Sequence, residues 1–470
     1  MSEQSKILNN ITFDEIVVGQ SACLTRKLTE QDISLFALVS GDVNPAHLNK
    51  EFAEKSFFHG IIGHGMWSGA LISTVLGTVL PGPGTVYLEQ DMRFRRPVRV
   101  GDSITVRISV KSKDSREPIV TFDCVCLNQM GEIVVEGTAS VLAPIQKVSI
   151  ESPSLPAVQL YSSDHYEKVI HGAKKLGMIR VAVVHPVTKS AIQAVIEASE
   201  QGLINPILVG PASRIIQAAK ENGTDLSKWQ IIDTEHSHAA ARKSVEMAVA
   251  GEVDAIMKGS LHTDELLEAI VNKESGLRTE RRISHAYVID TPIYHKPLII
   301  TDAAINIAPS LNDKADICRN AIGLWQSLFN HNAQPKVALL SAVETVTDRM
   351  PSTLDAACLC KMAERGQITG AILDGPLAFD NIISKQAADD KGIVSEVAGD
   401  ADIIVVPNIE SGNALAKQLT FLGHAEAAGI VLGARVPVIL TSRADSVRTR
   451  MLSCVVALYL THARKTGKIK

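Results

Sequence analysis

The chain has 470 residues, 46% of them apolar and 21% charged, with a formal net charge of −4. That length exceeds what a single hydrophobic core organises, so about three domains are expected, with two or four possible. An isoelectric point near 6.4 removes the electrostatic case for nucleic acid or an anionic membrane surface as partner. Aromatic residues are scarce at 4%, while Ala, Val, Ile and Gly are plentiful, which suits an α/β protein with Val/Ile-rich buried strands.

The N-terminus carries no basic-then-apolar leader, and no run reaches membrane-spanning length, so a soluble cytoplasmic protein is expected. Thr29-Glu-Gln-Asp32 reads as a helix start, with Ile33, Phe36, Ala37 and Ser40 on one side. That helix delivers the chain into Ser40-Gly-Asp-Val-Asn-Pro-Ala-His47, which places Asp42, Asn44 and His47 within six residues. Gly41 permits backbone angles that other residues avoid and Pro45 stops a continuing helix, so the loop can hold an acid and an imidazole toward one small volume. Gly65–Leu80 is apolar on nearly all sides and is expected to be surrounded by protein. After Pro81-Gly-Pro-Gly84, the alternating runs Tyr87–Phe94, Ser103–Lys111, Ile119–Leu127 and Ile133–Leu142 predict an antiparallel meander wrapped round that helix, an α+β arrangement. Cys124 and Cys126 share a face of one of these runs. With Cys358/Cys360 they are the paired spacings among seven cysteines. No second cluster stands at zinc spacing, so reduced thiols serving as small apolar residues, without a metal, are expected.

Residues 144–160 contain Pro and Ser without a clear period and read as a linker. From residue 161 the pattern becomes strand, helix, strand, helix, with candidate strands Arg180–Val184, Pro206–Val209, Gln230–Ile232, Ala255–Met257, Pro297–Ile300, Lys336–Leu340, Gly370–Leu373, Asp402–Val406 and Pro437–Leu440. This predicts mostly parallel sheets with helices on both faces, arranged as two lobes with a cleft. Five strand ends carry polar and small residues: Lys258-Gly-Ser-Leu-His262-Thr263, Asp302 to Asn306, Asp374-Gly375-Pro376, Asn408 to Asn413, and Ser442-Arg443-Ala-Asp445. Helix N-termini offer free N–H groups to anions, and Lys258 and Arg443 add positive charge, so a phosphate-bearing substrate is expected. No G-x-x-x-x-G-K-[ST] and no strand-linked G-x-G-x-x-G is present, which argues against an ordinary ATP or dinucleotide site.

Asp42 and His47 can polarise one water, and the N–H of Gly65, at the start of the buried helix, is placed for a developing oxyanion. Phe36, the Ser40–His47 segment, Ala53, His64-Gly65-Met66 and Phe94-Arg-Arg-Pro97-Val-x-Val-Gly101-Asp102 together resemble the MaoC-like, (R)-specific enoyl-CoA hydratases. The resemblance covers residues 10–143. It implies a hot-dog fold, dimer formation, and syn hydration in which His47 takes the water proton during attack at C3. Asp42 would pass a proton to C2, and the Gly65 N–H would hold the thioester oxygen. Asn44 is read as fixing the loop. His59 and His64 have no evident partner in the sequence and are read as structural.

Residues 161–470 resemble phosphate acetyl- and butyryltransferases. The match rests on Lys258-Gly-Ser-Leu-His-Thr263, Thr301–Pro309, Asp374–Asn381, Ser411-Gly-Asn413 and Thr441-Ser-Arg-Ala-Asp445. The implied reaction converts acyl-CoA and phosphate to acyl phosphate and CoA, with no bound cofactor. Ser442 and Arg443 match the family's phosphate- and acyl-binding pair, and Asp445 is the nearest candidate for the base on the CoA thiol. Lys258, His262 and Asn413 are expected to bind substrate. Both regions point to CoA thioesters, so a bifunctional, oligomeric enzyme acting on short 2-enoyl-CoA and on acyl-CoA is expected. The alternatives are a hydratase whose C-terminal region only binds CoA or oligomerises, a non-enzymatic acyl-CoA sensor, and a two-lobed dehydrogenase.

Overall fold

The computed structural model describes residues 7–154, 158, 164–441 and 445–469. The chain forms two compact units, residues 1–160 and 161–470.

In the first unit, β2 (Ser21–Lys27), β3 (Val86–Phe94), β4 (Ser103–Lys113), β5 (Ile119–Leu127) and β6 (Ile133–Leu142) form one antiparallel sheet in the order β2-β4-β5-β6-β3. Alternation selects its inner face: Ile104, Val106 and Ile108 of β4 and Val120, Phe122, Cys124 and Cys126 of β5 are fully buried. The two cysteines pack as apolar residues, and burial pushes each thiol up to about 12. Against this face lie Trp67, Leu71, Ile72, Val75 and Leu76 of α4, Gly65–Thr78, which follows α1 (Glu30–Ser40), α2 (Pro45–Leu48) and α3 (Lys50–Lys55). The expected complete enclosure of α4 does not hold within the unit. Met66, Ala70, Ser73, Thr74 and Gly77 form an exposed stripe, because the sheet covers one face of the helix. Part of the segment read as a linker is also ordered: β7 (Ser149–Glu151) pairs antiparallel with β1 (Ile7–Asn9), with Ile150 opposite Leu8.

The second unit is built on one sheet. Its strands are β8 (Ile179–Val184), β9 (Ile204–Gly210), β10 (Gln230–Asp233), β11 (Ala255–Lys258), β12 (Ser284–Asp290), β13 (Leu298–Thr301), β14 (Lys336–Leu340), β15 (Ile372–Leu377), β16 (Ile403–Val405), β17 (Glu426–Leu432) and β18 (Val438–Ile439). Their order is β10-β9-β8-β11-β18-β17-β12-β13-β16-β14-β15. β10, β9, β8, β11 and β18 are parallel, and β13, β16, β14 and β15 are parallel among themselves. The antiparallel strands β17 and β12 join the two blocks. Counting the reversals at β18/β17, β17/β12 and β12/β13 makes the two blocks run in opposite directions.

This topology divides the five polar strand ends between two edges of the sheet: those after β11 and β18 and those after β13, β15 and β16 belong to oppositely directed strands. The sequence reading also lacks β12 and β17. β12 is Ser-His-Ala-Tyr-Val-Ile-Asp and β17 is Glu-Ala-Ala-Gly-Ile-Val-Leu, so each confines its β-branched residues to two adjacent positions and neither alternates. Gly429 of β17 is required by the packing, because a Cβ there would stand 2.5 Å from the Leu440 carbonyl oxygen and 3.2 Å from His285 Nε2.

Candidate functional sites

In the first unit, Thr29 caps α1. Its Oγ1 accepts from the Asp32 N–H at 3.1 Å while Asp32 Oδ2 accepts from the Thr29 N–H at 3.0 Å. The helix ends at Gly41, whose φ of 74° is a left-handed cap. Asp42 Oδ1 then accepts from the Asn44 N–H at 3.2 Å, and Asn44 Oδ1 accepts from the Ala46 N–H at 3.1 Å to cap α2. Asn44 thus fixes the loop, and Pro45 opens the short helix that carries His47.

His47 Nδ1 stands 2.9 Å from the carbonyl oxygen of Ile62. A carbonyl only accepts, so Nδ1 carries the proton and, in the neutral ring, Nε2 keeps its lone pair. One donor atom each of Asp42, His47 and His64 lies within 4.8 Å of the others. The Asp42 side chain is exposed, His47 is half-buried and His64 is buried. An acid and an imidazole thus stand close enough to act on one reacting group. A cavity of about 360 Å³ opens beside them, lined by His47, Phe57, Phe58, Gly65, Phe94 and Val135 among others. Gly65 is the first residue of α4, where helix geometry leaves the N–H without an intrahelical acceptor. A Cβ at this position would come 3.0 Å from the Phe94 ring, so glycine lets that ring pack against the start of α4. The fold brings His64 from the next segment against Asp42 and His47, a contact that no spacing in the sequence shows. His59 is exposed, at φ 51°, outside the cluster.

In the second unit, Lys258 ends β11 and is buried, and its Nζ donates to the Thr441 carbonyl at 3.4 Å. It therefore ties the end of β11 to the segment following β18. Ser442 and Arg443 lie outside the described residues. Asp445 is half-buried on the wall of a cavity of about 390 Å³ that also includes Tyr287, Lys417, Phe421 and Thr449. Burial, with the Asp445 charge adding to it, pushes the Tyr287 hydroxyl up to about 12. His262 is the exposed residue preceding the helix Thr263–Val271 and makes no side-chain cap.

Asn413 acts on the fold directly. Its Nδ2 donates to the Ala303 carbonyl at 3.1 Å. A Cβ on the preceding Gly412 would stand 2.4 Å from the Asp302 carbonyl oxygen, so Ser-Gly-Asn is required by the close docking of the helix Ile409–Phe421 on the end of β13. Asp302 is likewise engaged. Its carboxylate accepts from the N–H groups of His285, Ala304, Ile305 and Asn306 and from Asn306 Nδ2.

Two residues absent from the sequence reading stand at these strand ends. His185 follows β8 at φ 54°, buried, with Nδ1 lacking a partner among the described residues. Burial, and then the nearby Arg214 charge, lower its pKa. Its one local signal was the polar residue closing an apolar strand. Arg450 is buried and donates from Nη1 to the Ser190 carbonyl at 2.9 Å. No spacing in the sequence connects positions 190 and 450.

Comparison with known proteins places both units. A family model for Phosphate acetyl/butaryl transferase matches residues 238–458, and one for the MaoC like domain matches residues 17–123. The chain is 55% identical over 317 residues to the phosphate acetyltransferase of Rickettsia prowazekii (strain Madrid E), covering 66% of this chain and 90% of that protein. It is 41% identical to the phosphate butyryltransferase of Clostridium acetobutylicum, covering 62% of this chain and 96% of that protein. Among solved structures, a branched-chain phosphotransacylase from Enterococcus faecalis V583 matches with a TM-score of 0.54 at 31% identity, over 61% of this chain and 99% of that one. The chain is an enzyme of the phosphate acetyl/butyryltransferase family that carries a MaoC-like domain ahead of its transferase part.

Proposed function

We propose that the chain is bifunctional, hydrating short-chain 2-enoyl-CoA to 3-hydroxyacyl-CoA in residues 10–143 and exchanging CoA for phosphate on an acyl group in residues 161–470. The observation that carries the first activity is the cluster of Asp42 and His47 beside a cavity that reaches Gly65. His47 Nε2 takes a proton from the bound water as its oxygen attacks C3, and a protonated Asp42 delivers a proton to C2. The proton held by His47 then restores Asp42, so that one water adds and both side chains end as they began. The Gly65 N–H stabilises the charge that develops on the thioester oxygen. The cavity walls combine the apolar side chains of Phe57, Phe58, Phe94 and Val135 with the charged Arg95 and Arg96, a mixture that suits an acyl chain carried on an anionic CoA.

Family membership supports the second activity. Ser442 and Arg443, after β18, hold phosphate and acyl group, with Lys258 and His262, at and after the end of the parallel neighbour β11, on the substrate side. Asn413, against the end of β13, is left to helix docking. In the direction that makes acyl-CoA, Asp445 takes the thiol proton so that the thiolate attacks the acyl phosphate. Neither reaction transfers electrons, so no bound cofactor is required. The two oppositely directed parallel blocks support a two-lobed transferase part. Both kinds of domain work as soluble assemblies in this reading, as a cytoplasmic homo-oligomer using acyl-CoA and inorganic phosphate as its partners.

The test is a pair of assays on the full chain: loss of the conjugated absorbance of crotonyl-CoA, and release of CoA thiol from butyryl-CoA on adding phosphate. Asp42→Asn is expected to abolish only the first and Arg443→Ala only the second. Loss of both activities by either substitution sinks the two-site reading.

A further inference from the structure

His64 is 4% exposed and precedes Gly65 at the start of α4. Its Nε2 stands 3.0 Å from the backbone carbonyl oxygen of Asp42. Because that oxygen only accepts, Nε2 carries the proton. The other nitrogen, Nδ1, is buried with no hydrogen-bond partner among the described residues. The ring faces His47, with centroids 4.0 Å apart and planes at 35°, and Phe36 at 5.0 Å.

A buried polar atom left without a partner costs free energy that Leu or Phe at the same place would not incur. Packing alone therefore does not account for a histidine here. The bond its Nε2–H makes does. His47, in the loop, donates to the backbone at Ile62, just ahead of α4. His64, at the head of α4, donates back to the backbone of the loop at Asp42. The two imidazoles lace the segments together reciprocally, and these segments carry the acid/base pair and the oxyanion donor.

Resting on the hydratase reading above, we propose that His64 is a positioning residue of the hydration reaction, setting Asp42 at a fixed distance from His47 and from the Gly65 N–H. Its ring lines the same cavity as His47 and Gly65, but its Nε2–H is committed to the Asp42 carbonyl, so it acts by holding the groups that react. Its effect is on the alignment of groups whose charge changes in the transition state, so kcat depends on it and substrate binding does not.

The test compares wild type, His64→Phe and His64→Gln in the full chain with crotonyl-CoA. Phenylalanine keeps the ring contacts and lacks the N–H. Glutamine lacks the ring and can extend an amide N–H to the position of Nε2. His64→Phe is expected to lower kcat by about tenfold to a hundredfold, with KM changed less than about threefold. His64→Gln is expected to recover most of that loss. The unfolding transition of the first unit, retained in all three proteins, reports that the unit carrying His64 is folded. Wild-type kcat in His64→Phe overturns the proposal, as does equal damage in both variants, which would mean that the ring and not the bond matters. If His64→Phe does not fold, His64→Gln decides: near-wild-type kcat supports the bond, and loss of kcat overturns it. Absence of hydration by the wild type is a separate result that removes the hydratase reading itself and, with it, the role of His64.

Discussion

Asp42, His47, His64 and Gly65 lie between positions 42 and 65 of the chain, on a helix end, a turn, a four-residue helix and a helix start. In the transferase part, Lys258 meets Thr441 across two strand ends, Asn413 meets Ala303, and Arg450 meets Ser190. The first site is a local construction whose geometry comes from capping side chains. The second is assembled from remote segments brought together by a sheet, and glycines set how closely those segments approach. A substitution in the first should therefore damage one reaction and leave the fold intact, whereas many substitutions around the second should act through packing.

The largest expected effect breaks the comparison if it fails. Removing the acid with Asp42→Asn should lower crotonyl-CoA hydration by roughly 10²- to 10⁴-fold, the usual worth of a positioned acid or base. Phosphate-dependent CoA release and the melting temperature should be unchanged. Any matching fall in melting temperature would show that the loop is a structural element first.

Leu76→Ala, by contrast, empties a fully buried site on α4 and should cost about 2–5 kcal/mol. In chemical denaturation the transition assigned to the first unit should move while that of the second stays in place. Gly429→Ala forces a Cβ to within 2.5 Å of the Leu440 carbonyl and should cost about 1–3 kcal/mol as an overpacked core does. It should shift only the second unit's transition and lower CoA release with it, because β17 carries the join between the parallel blocks.

A smaller, pH-dependent effect separates the units further. Burial raises the pKa of Asp254, but bonds from Arg180 and Lys465 outweigh it and hold the carboxyl down to about 2. An unfolded aspartate titrates near pH 4. The folded state therefore gains stability above about pH 4 and loses it as the pH falls toward 2. The melting temperature of the second unit should drop over that window, and Asp254→Asn should flatten the drop. At the lower end of the scale, the exposed pair Lys55–Glu51 joins residues four apart on α3. Lys55→Ala should change stability by no more than about 0.5 kcal/mol.

The candidate site of the first unit was legible where its logic is local. Gly41, Asn44 and Pro45 announce a helix end followed by a helix start, and they place an acid and an imidazole on the same turn. His64 was the exception, because its partner is a backbone carbonyl in another segment and no side-chain spacing records such a bond. The alternating strands β3 to β6 were legible for a similar reason, since half-buried strands write their register as a period of two. The parallel strands were found as short apolar runs, although their boundaries moved: β15 spans Ile372–Leu377, beyond the Gly370–Leu373 expected.

Composition and motif thus determined that the chain holds an antiparallel part and an α/β part, and they identified the loop, the strand ends and the reactive residue types on each. Only the tertiary structure decided that β12 and β17 join two oppositely directed blocks, that Ser-Gly-Asn serves helix docking, and that His64 belongs with Asp42 and His47. Periodicity reports which face of an element meets a core. It carries no information about which remote backbone atom a side chain will meet, because that depends on the packing of every element between them.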